Sequence, residues 1–152
     1  MHYSALDHVG FTVSSLDRSI PFYTRLLGEE PVGRLGWEPE NDEFVGRIIG
    51  YPGLAIEAAF FLLPGGMILE LLEYRHPPAG AVDMETTNVG NGHLGLRTDD
   101  IHAEYERLRA HVEFRNHEPV LIPSGPAKGG YAIYMRDPDG ITIELVQAPP
   151  QG

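Results

Sequence analysis

The sequence repeats itself, and this repeat limits the folds that are open to the chain. Residues 8–26 align without a gap with residues 93–111, so that His8 falls on His93, 85 positions later. Each copy reads as a strand-sized segment of alternating apolar residues followed by a helix-sized segment. Self-similarity of this kind indicates two copies of one supersecondary unit. The same histidine therefore opens the first strand of both copies.

Each copy continues from its first strand into a helix with recognisable end signals. Serine and aspartate are preferred residues at helix N-termini, and glycine often follows the last turn. In the strand segment HVGFTV, the apolar residues share one face and His8 lies on the other. The predicted helices are 16–27, capped by Ser14 or Ser15 and ended by Gly28, and 101–111, capped by Asp99 or Asp100.

Each copy also ends in a hairpin, with PGG at 64–66 and DPDG at 137–140 as the turns. The returning strands match as LEL at 69–71 and IEL at 143–145, an offset of 74 instead of 85. The first copy therefore carries 85 − 74 = 11 extra residues, which fit a long polar insertion at 34–53.

We therefore predict an α+β fold made of two tandem βαβββ modules. The first module covers about 4–74 and the second about 92–148, joined by a Pro/Gly-rich connection at 75–91. Because a module of this size cannot bury a sheet face alone, we expect the two to pair. The pair would form one domain over 1–152, with a sheet curled around a central cleft.

Four polar side chains interrupt the apolar pattern, namely His8, His93, Glu70 and Glu144. A carboxylate is costly to bury in an apolar strand. Taken singly, each glutamate is explained equally well by a side chain that points outward from a half-exposed strand. Together, however, the four form two His/Glu pairs related by the repeat. Two imidazoles and two carboxylates suit a divalent cation, and the carboxylates cancel its charge. We predict one such ion per chain, as Zn, Ni, Co or Mn.

The four segments LDHVGFTVSSLDRSIPFYTRLLG, LELLEY, GHLGLRTDDI and DPDGITIEL resemble the vicinal oxygen chelate superfamily. The resemblance spans nearly the whole chain. The superfamily includes glyoxalase I, methylmalonyl-CoA epimerase, extradiol dioxygenases, fosfomycin-modifying transferases and bleomycin-binding proteins. Because one fold hosts several chemistries, the resemblance identifies the superfamily and not one reaction.

The number of metal ligands that the resemblance implies distinguishes its branches. Dioxygenases and fosfomycin transferases typically use two histidines and one glutamate, which match His8, His93 and Glu144. Glyoxalase I and the epimerase add a fourth ligand on the last strand of the first module, where this chain has Glu70. The pattern favours an isomerase or lyase that transfers a proton next to a carbonyl through a metal-stabilised enediolate. Glu144 is the first candidate for the base, and Glu70 is the second.

Two other functions within the same superfamily remain open. A drug- or natural-product-binding resistance protein has the same fold, and such members generally lack the metal ligands. An Fe(II) extradiol-type dioxygenase needs open coordination positions, one of which Glu70 would occupy. Many single-copy members act by sequestering a drug or natural product, often as dimers, and we expect a homodimer here.

Candidate substrate contacts are few. Arg97 lies on the His93 face of its strand, although a structural ion pair explains it equally well, and Lys128 lies in the glycine-rich loop PSGPAKGGY. Trp37 belongs to the insertion 34–53, which is either a lid over an aromatic ligand or a solvated loop. Glu57 is a candidate for a separate acid, with a surface position as the alternative.

Composition excludes several classes of partner. The 22 acidic and 11 basic residues give a net charge of −11, which argues against nucleic acid and anionic membranes. Cysteine is absent, so thiolate metal sites and cysteine nucleophiles are excluded. The N-terminal segment lacks the pattern of a signal peptide, and we expect a cytoplasmic protein that acts on a small molecule. Glu73, on the opposite strand face from Glu70, is expected to be solvated.

Overall fold

The computed structural model describes residues 2–150 of the chain. The chain divides into two compact units, a first unit that ends at Ala81 and a second unit that begins at Val82. The boundary lies within the predicted connection 75–91. Each unit combines a mixed sheet with helix, which confirms the predicted α+β fold of two modules. The pairing of the modules into one domain stays a prediction. No helix within 2–150 is long and apolar enough to cross a membrane.

The first unit contains a four-stranded sheet, and its order β1-β4-β3-β2 places the first and last strands side by side. β1 runs parallel to β4, and the other neighbours are antiparallel. The elements are β1 (His8–Thr12), α1 (Leu16–Leu27), β2 (Gly33–Trp37), α2 (Glu43–Ile49), β3 (Ala55–Leu62) and β4 (Ile68–His76).

The second unit repeats this arrangement with a sheet of order β5-β9-β8-β6, in which β7 also pairs with β8. β5 is parallel to β9, as β1 is to β4. The elements are β5 (His93–Arg97), α3 (Ile101–Leu108), β6 (Glu113–Phe114), β7 (Val120–Leu121), β8 (Tyr131–Arg136) and β9 (Thr142–Gln147).

The insertion at 34–53 is more ordered than the polar loop that its composition indicates. Its first residues complete the edge strand β2, which pairs with β3 through Trp37 and Ile56. Its second half forms α2, which ends at Gly50 with φ 81° in the left-handed region. Glycine adopts this conformation without steric cost, so it is a frequent helix stop.

The core of the first unit lies between α1 and one face of its sheet. Leu16 and Tyr23 on the helix are fully buried, as are Phe61, Leu69 and Leu71 on the strands. The Tyr23 ring lies 6.2 Å from the Phe61 ring. Burial of each such side chain stabilises the fold by roughly 1.5–3 kcal/mol. With α1 covering this face, His8 and Glu70 lie on the opposite face of the sheet.

The N-terminus of α1 is capped by a residue far away in sequence. The expected cap, Ser15, makes no side-chain hydrogen bond to the helix. The backbone N–H of Leu16 donates instead to Glu73 Oε2 on β4, at 2.7 Å. The expectation that Glu73 is solvated is therefore wrong, because its strand face is the one that α1 covers. Gly28 ends the helix with φ 76°, as predicted.

The second unit caps α3 in the same way. The N–H of Ile101 donates to Gln147 Oε1 on β9, at 2.8 Å. Asp100, one of the two predicted caps, also accepts a hydrogen bond from the N–H of Ala103, at 2.9 Å. The repeat thus extends to the contacts that orient each helix on its sheet.

Candidate metal centre

Strand pairing in the first unit brings His8 next to Glu70. In the parallel pair β1–β4, Gly10 lies opposite Glu70, and His8 is two residues earlier on the same face. His8 Nε2 lies 3.9 Å from Glu70 Oε2. A Cβ added at Gly10 would lie 3.6 Å from Glu70 Oε2, an ordinary van der Waals distance, so Gly10 is in direct contact with the carboxylate.

The second unit reproduces this pair in the same register. Gly95 lies opposite Glu144 in the β5–β9 pair, and His93 is again two residues earlier. His93 Nε2 lies 3.1 Å from Glu144 Oε2. A Cβ added at Gly95 would lie 3.8 Å from the same carboxylate oxygen. The motif His-x-Gly beside a strand glutamate is therefore one local structure that occurs twice.

A shared metal ion requires a particular distance between its two donor atoms. Metal–ligand bonds of about 2.1 Å, at tetrahedral or right angles, place two donor atoms about 3.0–3.4 Å apart. The 3.1 Å separation of His93 and Glu144 falls within this range, and the 3.9 Å separation of His8 and Glu70 is slightly wider. Within residues 2–150, no group of three or more potential ligands lies close enough to hold an ion. The separation of His93 and Glu144 thus fits a shared metal ion, whereas His8 and Glu70 lie farther apart than a shared ion allows at those angles.

His8 carries a second interaction that the sequence analysis missed. Its Nδ1 lies 2.8 Å from Asp7 Oδ1. This hydrogen bond raises the pKa of His8 above its ordinary value of 6.5, against the opposing effect of burial and with a smaller contribution from Glu70. The adjacent carboxylate in LDHVG was the available signal, but side chains of neighbouring residues in a strand point to opposite faces. Asp7 lies just outside β1, where that rule does not apply.

Tyr134 is a further residue at the second pair that was not foreseen. It lies opposite Glu144 in the β8–β9 hairpin, and its hydroxyl is 3.5 Å from His93 Nε2. Burial raises the pKa of this hydroxyl, and the charge of Glu144 raises it further. The corresponding residue opposite Glu70 is Phe60. The two pairs therefore differ, since only the second has a hydroxyl beside its histidine.

The sheet face that carries Glu70 also has apolar and aromatic residues. Phe60, half-buried, and Ile56, fully buried, lie on this face of β3, and Trp37 joins it through its pairing with Ile56. Trp37 is half-buried, two strands from Glu70 and nearer the other end of the sheet. The structure thus places the predicted contact Trp37 on the Glu70 face without bringing it beside the carboxylate.

Glu57 lies on the opposite face of β3 from Phe60, and so on the opposite sheet face from Glu70. Its carboxylate accepts a hydrogen bond from Arg34 Nε and lies 3.7 Å from Arg75 Nη1. This ion-paired position gives no support to its predicted role as a separate acid.

The two predicted cationic contacts are both exposed. Arg97 lies on the same face of β5 as His93 and makes no ion pair within the part of the chain that the structure describes. Lys128 belongs to the loop before β8, where its backbone N–H donates to the Gly125 carbonyl at 3.1 Å. Of the two, the structure places Arg97 on the face that carries a His/Glu pair.

Arg136 is a buried charge that the sequence analysis also missed. It lies on β8, two residues beyond Tyr134, and is 8% exposed. Its guanidinium donates to the carbonyl of Met84 and, at 3.1 Å each, to the hydroxyls of Thr86 and Thr142. These bonds attach the segment after Val82 to the second unit, so part of the predicted connection is folded.

The chain is similar in sequence to known proteins. Residues 5–145 match the model of the Glyoxalase/Bleomycin resistance protein/Dioxygenase superfamily. The chain is 29% identical to a 2-epi-5-epi-valiolone epimerase of Actinomyces sp, over 95% of this chain and 80% of that protein. It is 32% identical to a probable lactoylglutathione lyase of Vibrio cholerae serotype O1, over 92% and 88%.

A solved structure shows the same fold along the whole chain. A glyoxalase family protein from Bacillus cereus superposes with a TM-score of 0.79 and 25% identity, covering 99% of both chains. The resemblance inferred from four sequence segments is therefore confirmed at the level of the superfamily.

Proposed function

The chain belongs to the Glyoxalase/Bleomycin resistance protein/Dioxygenase superfamily, and on that premise we propose that it is a divalent-metal-dependent isomerase or lyase. The proposed reaction moves a proton at a carbon next to a carbonyl group of a small molecule. The relatives named as an epimerase and as a lyase support this branch of the superfamily.

The repeated His/Glu pair is the observation that carries the proposal. His8 with Glu70, and His93 with Glu144, occupy the same register in two units, with imidazole and carboxylate facing each other. A structural role for one such pair is ordinary, but two repeat-related pairs in one chain favour a common ligand. The proposal requires that a pair from each unit meet at the same ion.

The four side chains would hold the ion, which supplies a Lewis acid for a carbonyl oxygen. Two carboxylates balance the charge of a divalent cation, and nitrogen and oxygen donors suit Zn, Ni, Co or Mn. We further propose that the chain forms a homodimer. The two pairs then meet either within one chain or between two copies.

Glu144 is the proposed base, with Glu70 as the second candidate. The Glu144 side chain is 22% exposed, so it is accessible and partly shielded from water. The hydroxyl of Tyr134 lies on the same face and can donate a hydrogen bond to a substrate oxygen. Phe60 lies opposite Glu70, where Tyr134 lies opposite Glu144. Because Phe60 has no hydroxyl, Glu144 is the better candidate for the base.

Arg97 is the proposed contact for a negatively charged part of the substrate. It is exposed, shares a strand face with His93, and is not engaged by any carboxylate of the described chain. Lys128 and Trp37 are secondary candidates.

A binding protein without turnover is the second candidate function. The half-buried aromatic residues Phe60 and Trp37 on the Glu70 face would also suit an uncharged aromatic natural product. Such a protein would bind its ligand whether or not metal is present.

Metal analysis combined with isotope exchange tests the proposal. The purified chain should contain one divalent ion, and its melting temperature should fall on chelation and recover when Zn, Ni, Co or Mn is added. NMR should then show exchange of substrate protons with D₂O for a 2-oxo or acyl compound. Glu144→Gln should keep the fold and lose about 10²–10⁴-fold in exchange rate.

The opposite results are equally informative. Absence of metal, with no stabilisation by any added ion, contradicts the enzyme proposal and favours the binding protein. Normal exchange in Glu144→Gln removes Glu144 from the reaction and leaves Glu70 as the base to test.

A further inference from the structure

The two copies of the repeat differ at the residue before the histidine. Asp7 precedes His8, whereas Gly92 precedes His93. Asp7 Oδ1 lies 2.8 Å from His8 Nδ1. For His93, the polar contacts within residues 2–150 are at Nε2, with Glu144 and Tyr134. Nδ1 of His8 thus has a hydrogen-bond partner, and within the described residues Nδ1 of His93 has none.

A hydrogen bond to the Asp7 carboxylate determines which nitrogen of His8 is available to a metal. A neutral imidazole carries one N–H and one lone pair, and a carboxylate accepts only from the N–H. The Asp7 contact therefore places the proton on Nδ1 and the lone pair on Nε2. Nε2 is the atom that faces Glu70. The tautomer and the ring orientation are both those that metal binding at this pair requires.

Asp7 is well placed to orient His8, and its side chain contributes little to the stability of the fold. Its side chain is 96% exposed, so it contributes nothing to the core. Its backbone carbonyl accepts from the N–H of Ile68 at 3.4 Å, which holds the residue beside β4. A carboxylate that orients a histidine ligand through its second nitrogen is a recurrent feature of metal sites.

We propose that Asp7 is a positioning residue of the metal centre, which holds His8 with Nε2 towards Glu70. The inference rests on the proposed function, because it presupposes that His8 is a ligand. The second pair has no equivalent of Asp7, since Gly92 precedes His93.

Removing the carboxylate before His8 and adding one before His93 tests the inference. Asp7→Asn removes the acceptor charge, and Gly92→Asp supplies an acidic neighbour to His93, at a position where an added Cβ meets nothing within 4 Å. Glu29→Gln is the control, since Glu29 is an exposed acidic residue of the first unit that makes no hydrogen bond or ion pair within residues 2–150. Zinc affinity is measured by competition with a chelator, and ring ¹⁵N NMR of the metal-free protein reports the tautomer.

We expect wild-type His8 to carry its proton on Nδ1 and to lose this preference in Asp7→Asn. Zinc affinity should fall about 10–100-fold in Asp7→Asn, rise in Gly92→Asp and stay unchanged in Glu29→Gln. Wild-type zinc affinity in Asp7→Asn, or an Nε2–H tautomer in the wild type, overturns the inference and leaves the proposed function intact. A wild-type chain that binds none of Zn, Ni, Co and Mn overturns both.

Discussion

Glu73 accepts a hydrogen bond from the backbone N–H of Leu16, although the two residues are 57 positions apart. The bond joins the last strand of the first unit to the start of α1, which immediately follows the strand that carries His8. Gln147 and Ile101 form the same contact in the second unit. The two helices are therefore fixed by the same strands, β4 and β9, that carry Glu70 and Glu144.

Removal of this cap should destabilise the first unit. Glu73→Ala should lower the free energy of unfolding by about 0.5–2 kcal/mol, since it leaves a helix N–H without its acceptor. Glu73→Gln should cost less, because the amide oxygen accepts the same bond, as it does at Gln147. Urea denaturation measures both variants. Ser15→Ala is the control and should change little, because Ser15 makes no capping bond; a larger effect there than at Glu73 would refute the assignment.

Arg136 should be needed to hold the segment that begins the second unit. In Arg136→Lys the single ammonium group cannot reach Met84, Thr86 and Thr142 together, as the planar guanidinium does. We expect the free energy of unfolding to fall by about 1–3 kcal/mol and proteolytic cleavage near residues 82–91 to become faster. Arg109→Lys is the matched control, because Arg109 forms only an exposed pair with Glu106. Equal cleavage rates in both variants would contradict the proposed attachment.

Substitution of His93 should show whether this side chain binds metal or only packs in the fold. His93→Ala should weaken zinc binding by about 100-fold or more, because loss of an outer-shell partner alone costs 10–100-fold. The stability of the metal-free protein should change much less, since the His93 side chain is 42% exposed. Chelator competition and thermal melts measure the two effects. His111→Ala, at an exposed residue outside both pairs, should bind zinc like the wild type.

The Asp7 contact should be visible in the titration of His8 in the metal-free protein. Its pKa lies above the ordinary 6.5 because of the hydrogen bond to Asp7. The folded pKa is thus higher than the unfolded one, so this contact stabilises the fold fully below pH 6.5 and is lost as the pH rises through the folded pKa. Proton NMR of the His8 ring should give the raised midpoint, and Asp7→Asn should lower it. A wild-type midpoint at or below 6.5 would show that the bond is absent in solution.

Much of the candidate site could be predicted because its signals are local. Strand alternation assigns His8 and Glu70 to polar positions, and the repeat transfers the same assignment to His93 and Glu144. The parallel neighbours β1–β4 and β5–β9 then place each histidine beside its glutamate in the same register. The α+β fold of two modules follows from the same periodicities. The insertion 34–53 was less predictable, because its charged residues conceal the short helix α2.

The two modules, their strand faces and the four candidate ligands were predictable from the sequence, because periodicity and repetition are visible within short segments. The roles of the remaining polar groups depend on how each unit is packed. Glu73 became a helix cap and Glu57 an ion-pair partner because helix packing and strand order choose their neighbours. Tyr134 and Arg136 acquired their roles from residues about 40–50 positions away. Such partners are fixed by the free energy of packing the whole unit, which no local pattern contains.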